Sequence, residues 1–343
     1  MSRPRVAVSL VTYNGARWVE ACLASVWAQE GVDVDLFAID NGSSDGTPEL
    51  LRSLTEDRPA ARLELSSTNL GFAAAHNRSI VAAEAEYVCL LNQDVVLDPA
   101  YLRRATSAFQ GPRVGAVQGK VYRLNRDLPR SHAIDSAGLE IARNRRVTSR
   151  GQGHAGPSAF EDAEEVFGVD GACPVYRRAA LLDARVPRDG RWEILDEDFW
   201  MYKEDVDLAW RLVLFGWEAR YEPRAVAWHA RSAGGSEARS AIAVMAHRRR
   251  IPSWIKRLSW RNQGFMQLKN ETGPEVLRDL PAIAVHQVAA FAYLVVSDPR
   301  NLSAIADLIA GLRPMRRKRA YIQHRRAPGT GISRWVSQPA DQS

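Results

Sequence analysis

The sequence predicts an open α/β sheet of mostly parallel strands. Strand-like and helix-like stretches alternate through the N-terminal half, a rhythm that calls for crossover helices between parallel strands. Three strand ends are polar, "TYN" (12–14), "DNGSSDG" (40–46) and "NQD" (92–94). Sheets of this kind bind ligands at the carboxyl ends of their strands.

The elements follow in order. "VAVSLVTY" (6–13) reads as a buried strand. "GARWVEACLASVWAQ" (15–29) places Trp18, Val19, Cys22, Leu23 and Val26 at helical spacing. "VDLFAID" (34–40) is a second strand. "NGSSDGTPELLRSL" supplies a turn, a Ser/Asp/Thr cap region, Pro48 near the first helical turn, and a helix. "LELSS" (63–67) is a third strand, "GFAAAHNRSIVAAEA" (71–85) a helix and "YVCLLN" (87–92) a fourth strand. From about 113 the pattern is mixed. "VGAVQGKVYRL" (114–124) is a strand, and the Gly-rich, then acidic "SRGQGHAGPSAFEDAEE" (149–165) is expected as a mobile loop. "VFGVDGACPVYRRAAL" (166–181) reads as strand, tight turn and helix. "FWMYKEDVDLAWRLVLFGW" (199–217) contains the clearest helix, and "EARYEPRAVAWH" (218–229) ends in a strand. From about 236 onward the chain is expected to be helical, basic and aromatic, which divides it into 1–235 and 236–343.

With 343 residues, 25% charged and 46% hydrophobic, the composition is globular, and a core of this size needs no covalent staples. Cys22, Cys89 and Cys173 are sparse, odd in number and unpaired in pattern, which speaks against a disulfide framework and fits the cytoplasm. The start "MSRPRVAVSLVTYN" lacks the long apolar region and cleavage site of a signal peptide. Net charge is +6, with the excess in "HRRRIPSWIKRLSWRNQ" (247–263) and "RPMRRKRAYIQHRR" (313–326). Such patches suit nucleic acid, an anionic membrane surface or plain solvation. No RNP-like, zinc-finger or helix-turn-helix signature accompanies them, so nucleic acid is not expected. "PAIAVHQVAAFAYLVVS" (281–297) is broken by His286 and Gln287 and falls short of the ~20 apolar residues of a spanning helix, so it reads as a packed or interfacial helix.

Three constellations could carry chemistry, and each has two readings. Asn92 and Asp94 point to one side of an extended segment. They either cap a strand end or act as hard oxygen ligands for Mg2+ or Mn2+. His229, after Trp228, is either a packed imidazole or a ligand. Glu197, Asp198, Glu204, Asp205 and Asp207 crowd one stretch. They either answer a helix dipole or, walled by Phe199, Trp200 and Tyr202, hold a carboxylate whose proton affinity is raised to that of a general base. G-x-G-x-x-G, G-x-x-x-x-G-K-[ST], G-x-S-x-G and H-E-x-x-H are all absent, so no glycine loop cradles a phosphate and a metal must do that work.

Six motifs in order, "VSLVTYNGARWVEACLASV", "IDNGSSDGT", "NLGFAAAHNRSI", "LLNQDV", "GACPVYRRAAL" and "YKEDVDLAWRLVLFGWEARYEPRAVAWH", together resemble a family-2 glycosyltransferase of the GT-A fold. The resemblance covers roughly 5–270, including "RNQGFMQLKN" (261–270), and is most similar to the bacterial rhamnosyltransferase-like branch that assembles cell-surface polysaccharide. It implies a mixed, mostly parallel sheet flanked by helices, with a C-terminal helical extension. It implies that Thr12, Tyr13 and Asn14 close the first strand over a nucleotide, and that Asp40 accepts a hydrogen bond from a pyrimidine ring N–H. Asn69, Gly71 and Asn77 would lie along the ribose and diphosphate. Asp94 and His229 would hold Mg2+ or Mn2+, with Asn92 acting through water or the sugar and Gln93 as a spacer at the nucleotide. Asp205 would be the catalytic base, with Glu204 beside it.

The implied reaction is an inverting transfer from a dTDP- or UDP-sugar, dTDP-L-rhamnose first and UDP-galactofuranose as an alternative, onto a glycan or lipid-linked saccharide. In this branch the C-terminal helices rest on the inner leaflet. Trp254 and Trp260, set among Arg248, Arg249, Arg250, Lys256 and Arg257, agree independently. Two positions depart from the family. Asn92 stands where D-x-D has Asp, which removes a negative charge from the metal site. Lys203 precedes "ED" where an aromatic or apolar residue is usual; it either lowers a nearby carboxylate's proton affinity or contacts a phosphate on the acceptor. Two other classes compete: a nucleotide-sugar-binding scaffold without catalysis, and a nucleotidyltransferase, which would need a Gly-rich, Lys-bearing N-terminal loop in place of "VTYNGARW".

Overall fold

The computed structural model describes residues 3–124, 130–156, 160–231 and 251–337. Its first half is β1 (Arg5–Thr12), α1 (Val19–Trp27), β2 (Asp33–Asp40), α2 (Thr47–Thr55), β3 (Ala61–Leu65), α3 (Phe72–Ala82) and β4 (Tyr87–Asn92). β1 runs parallel to both β2 and β4, and β2 parallel to β3. Successive strand residues face opposite sides. Val6, Val8 and Leu10 therefore pack with Val19, Leu23 and Val26 of α1, while Ala7 and Phe37 pack with Ala73 and Ile80 of α3. Helices cover both faces, which is why these strands are nearly continuous apolar runs.

The second half continues with β5 (Val95–Leu97), α4 (Tyr101–Ser107), β6 (Val114–Leu124), β7 (Arg130–Ser136), β8 (Leu139–Ala142), β9 (Val147–Ser149), β10 (Glu164–Val166), β11 (Val175–Arg177), α5 (Arg178–Asp183), β12 (Val186–Arg188), β13 (Arg191–Glu193), α6 (Glu204–Leu214) and β14 (Glu218–His229). The main sheet runs β10-β14-β6-β11-β4-β1-β2-β3. β11 is antiparallel to β4 and β6, whereas β6 and β14 are parallel, so the sheet is mixed and mostly parallel as expected. Strand structure occupies all of 218–229, with the register slipping between Glu222 and Val226 around Pro223. Proline cannot donate to a ladder, so a bulge there is its natural place. The expected helix of 199–217 begins only at Glu204. Ahead of it lie a 3-10 turn over Glu197–Phe199 and left-handed backbone at Trp200, Tyr202 and Lys203.

Four helices follow: α7 (Ser253–Asn270), α8 (Gly273–Ser297), α9 (Ala304–Ala310) and α10 (Leu312–Arg325). A short strand, β15 (Val336–Ser337), then pairs with β8. Phe265 and Met266 of α7 and Met315 and Ile322 of α10 share a core with Val206, Trp210 and Leu214 of α6. A buried ion network adds to this core. The Lys269 ammonium contacts Asp196 and lies 2.9 Å from Asp207 Oδ2. Lys318 Nζ lies 2.5 Å from Glu193, 2.6 Å from Asp196 and 2.8 Å from Asp198. Asp207 also accepts from Arg211 Nε at 3.0 Å and Asn270 Nδ2 at 2.8 Å. The expected boundary at 235/236 lies outside the described residues, as do Arg248, Arg249 and Arg250.

The basic stretches are partly consumed inside the fold. Lys318 is buried, Arg319 donates to the carbonyls of Leu268 and Glu271, and Arg257 is paired with Asp307. Trp260 turns onto Phe291, leaving Trp254 as the exposed aromatic. The apolar stretch is longer than it looked. Val276–Ser297, 22 residues, is long and apolar enough to cross a membrane by length and composition. The sequence reading began at Pro281 and missed the first turn and a half, whose Asp279 carboxylate is buried against Arg143 and Arg145. α8 packs on α7 through Phe291 and through a Gln287–Gln267 hydrogen bond of 2.6 Å, while Leu277, Val285, Val288 and Val296 remain exposed.

Removing one partner from a buried ion network leaves the other charge uncompensated. Lys269→Met is expected to lower unfolding free energy by about 3–5 kcal/mol, read from urea denaturation. Truncating an exposed pair such as Arg52–Glu49 is expected to change it by less than about 1 kcal/mol.

Candidate functional site

A cavity of about 520 Å3 opens at the carboxyl ends of β1 and β4. Its floor is set by a clamp between those strand ends. Gln93 Oε1 accepts from Tyr13 N at 2.9 Å, and Gln93 Nε2 donates to Tyr13 O at 3.1 Å. A side chain at Gly15 would meet Gln93 Oε1 at 2.1 Å, so the glycine makes room for the clamp. Gln93 is therefore more than a spacer. Tyr13, Asn92 and Asp94 line the cavity with it, as do Thr12, Asn69 and Gly71.

Three expected nucleotide residues are placed elsewhere. Asp40 is buried under the β2 turn, where it accepts from Thr12 Oγ1 (2.9 Å), Gly42 N (3.1 Å), Ser43 N (2.9 Å) and Ser43 Oγ (2.5 Å). Its neighbour Asn41 faces the cavity instead, with its amide bonded to Leu70 N and Gly71 O, both at 3.1 Å. Asn14 braces the same turn by accepting from Ser44 N at 2.9 Å. Asn77 is a clamp as well: its amide exchanges two 2.8 Å bonds with the backbone of Leu195, tying α3 to the acidic stretch. Nothing in the one-dimensional pattern separates Asp40 from Asn41, because both belong to one polar turn.

Asp94 and His229 do meet. β14 pairs with β5 so that His229 lies opposite Val95, next to Asp94. His229 Nε2 is 3.3 Å from Asp94 Oδ1, and Nδ1 is 3.0 Å from Asp135 Oδ2. Asp135, on β7, is fully buried and also accepts from Arg231 Nε at 2.5 Å. An ionised carboxylate can only accept, so Nδ1 carries a proton toward Asp135 and, with no cation bound, Nε2 carries one toward Asp94. Burial would push the His229 pKa down, but Asp94 and Asp135 outweigh it and push it up to about 10. A carboxylate behind a histidine is the usual support of a metal-ligating imidazole. Sequence reading did not find Asp135: a single Asp in a strand of mixed character carries no spacing signal.

Asp170 was also missed. It lies in the turn before β11, is 7% exposed and lines the cavity. One of its oxygens accepts from Ala172 N at 3.1 Å, and the other is buried without a hydrogen-bond partner. Asp94, His229 with its Nδ1–H held by Asp135, and an orphaned carboxylate oxygen at one cavity form a donor set that fits a divalent cation such as Mg2+ or Mn2+, which would take the place of the Nε2 proton. A second acidic group does not. Glu193, Asp196 and Asp198 bring ligand atoms within 4.8 Å of one another, but the Lys318 ammonium already occupies the position a cation would take.

Across the cavity, Asp205 sits in the first turn of α6. Its Oδ2 accepts from Gly171 N at 3.1 Å and its Oδ1 from Val206 N at 2.7 Å. Burial and the Asp170 charge raise its pKa despite those bonds. Glu204, buried with one oxygen unpartnered, is pushed up to about 8, by burial first and by Asp205 second. Burial lowers the Lys203 pKa.

The loop entering α6 is held from two sides. Trp200 O accepts from Phe72 N at 2.7 Å and Ala73 N at 3.2 Å, capping α3. Gly71, at φ +81°, allows this approach, since a Cβ there would lie 2.2 Å from the Trp200 ring. From α7, Asn262 Nδ2 reaches the carbonyls of Phe199, Met201 and Tyr202, each at 2.9 Å.

The comparisons with known proteins agree with this architecture. The sequence model of Glycosyl transferase family 2 matches residues 7–183. The N-acetylglucosaminyl-diphospho-decaprenol L-rhamnosyltransferase of Mycobacterium tuberculosis is 30% identical over 295 residues, covering 77% of this chain and 91% of that protein. The poly-beta-1,6-N-acetyl-D-glucosamine synthase of Staphylococcus epidermidis is 29% identical over 228 residues, and the chain spans about half of its length, 49%. Among solved structures, the Pyrobaculum calidifontis mannosyltransferase PcManGT in complex with GDP-Man and Mn2+ superposes with a TM-score of 0.53 at 19% identity, covering 94% of this chain and 86% of that one. S. aureus TarS in complex with UDP gives a TM-score of 0.50 at 14% identity, covering 93% and 92%. The fold is that of the GT-A glycosyltransferases, and the chain belongs to glycosyl transferase family 2.

Proposed function

We propose that the protein is an inverting glycosyltransferase that moves a sugar, L-rhamnose from dTDP-rhamnose first, onto a lipid-linked saccharide or glycan of the cell surface. The observation that carries this reading is the placement of Asp205 across one cavity from the Asp94–His229–Asp135 corner. The choice of sugar and acceptor is supported by the rhamnosyltransferase relative, matched over 91% of its length. A UDP-sugar such as UDP-galactofuranose is the second reading, supported by the solved relative that holds UDP.

A Mg2+ or Mn2+ ion held by Asp94 and His229 would stabilise the charge that grows on the departing nucleoside diphosphate. Tyr13 and Asn41 line the side where the nucleotide would lie, and Asn69 and Gly71 continue that wall. Asp205 takes the proton from the acceptor hydroxyl as its oxygen attacks the anomeric carbon. Attack from the face opposite the diphosphate inverts that centre, and no covalent nucleophile is needed. Lys203 lines the same cavity, and in this reading it would meet a phosphate of the acceptor. Raised proton affinity at Glu204 and Asp205 favours a working base over a binding-only scaffold. We place α8 along an anionic membrane surface. Its exposed Leu277, Val285, Val288 and Val296 would enter the interface, while its Asp279 foot and its Phe291 contact keep it seated on the body of the protein.

Purified protein with Mn2+, a panel of dTDP- and UDP-sugars and a lipid-linked saccharide extract is expected to transfer rhamnose; no transfer from any pyrimidine donor would overturn the reading. Asp205→Asn is expected to cut turnover by about 10²–10⁴-fold. Donor-induced thermal stabilisation should survive in that variant, and near-normal turnover would remove Asp205 as base.

A base works only when deprotonated, and burial raises this pair above the usual carboxylate range. The rising limb of the pH profile should therefore lie above the usual carboxylate range.

A further inference from the structure

We propose that Asp170 supplies the second anionic oxygen of the divalent-cation centre, restoring from the β11 turn the charge that Asn92 lacks. The inference rests on the reading that the cavity takes a divalent cation with a nucleoside diphosphate. An oxygen-rich magnesium-type site usually draws on one or two protein carboxylates and completes its shell with phosphate oxygens and water. In "NQD" only Asp94 is a carboxylate, because position 92 is an amide.

The ladder between β4 and β11 locates the missing charge. Val175 pairs with Cys89, Leu90 N donates to Pro174 O at 3.1 Å, and Asn92 N donates to Ala172 O at 2.9 Å. Each pairing follows one antiparallel register. Asp170 lies two residues before Ala172 and Asp94 two residues beyond Asn92, so the end of this pairing brings the two turns that carry them to one cavity. The Asp170 carboxylate is also pre-aimed. Its backbone N donates to Gln118 Oε1 at 2.9 Å, and one carboxylate oxygen is fixed by Ala172 N at 3.1 Å. The other oxygen is left without a hydrogen-bond partner in a residue 7% exposed on the cavity wall. A buried carboxylate oxygen with no donor is costly unless something positive meets it. The same turn donates Gly171 N to Asp205 at 3.1 Å, so one short segment spans from the cation corner to the base.

The test is a Mn2+ titration of the full chain in the presence of UDP, read by the spin-resonance signal of free Mn2+. Wild type should bind and Asp94→Asn should not; if wild type itself fails to bind, the cation reading of the cavity falls and this inference with it. With wild type binding, Asp170→Asn is expected to weaken Mn2+ by on the order of 10–100-fold. Asn92→Asp, added to Asp170→Asn, is expected to recover most of that loss by returning a carboxylate to the site. Thermal unfolding without metal separates a ligand from a structural brace. Asp170→Asn should unfold at about the same temperature as wild type, since the amide oxygen can keep the bond from Ala172 N. Mn2+ affinity within twofold of wild type, or a clear loss of metal-free stability, would overturn the assignment.

Discussion

Lys269 lies fully buried between Asp196 and Asp207, and the position of α6 follows from that contact. Asp207 is one helical turn beyond Lys203, so whatever fixes Asp207 also fixes Asp205. Three further donors converge there: Arg211 and Asn270 on Asp207, and Lys318 on Asp196. Charges buried this deeply are tolerable only when each is met by a partner. The network therefore enforces one arrangement of α6, α7 and α10. The C-terminal helices thus hold the candidate base in place, whatever else they touch.

The same dependence runs through the loop before α6. Trp200, Tyr202 and Lys203 all take left-handed backbone, which is unfavourable for side chains of their size. Such backbone persists only where its surroundings over-determine it. Asn262 collects three carbonyls of this loop, and the N-terminal amides of α3 collect a fourth. Gly71 serves the cavity by staying small beneath the Trp200 ring.

Charge is distributed unevenly around the cavity. His229 is compressed between Asp94 and Asp135, and Arg231 backs Asp135 from the far side. Opposite, burial and like charge raise the proton affinity of Glu204 and Asp205 despite Lys203 and the backbone donors of Asp205. Low exposure sharpens both effects, because charges interact more strongly away from water.

The first four strands and three helices were legible in sequence to within a few residues, since continuous apolar runs and helical spacing are local signals. Asp94, Asp205 and His229 were legible as polar residues near element ends, and all three line one cavity. The functions of polar residues inside turns were not legible. Asp40, Asn14 and Asn77 bond to protein rather than to the cavity, while Asn41, Asp135 and Asp170 take cavity or support positions without any sequence mark. The basic C-terminal stretch read as a surface, yet Lys269 and Lys318 are core residues. Sequence alone determined the alternation of elements and hence the parallel half of the sheet. Tertiary structure decided which polar groups meet, because a carboxylate's partner can come from an element more than a hundred residues away, as in Lys318–Asp196, 122 residues apart, and no local pattern encodes that distance.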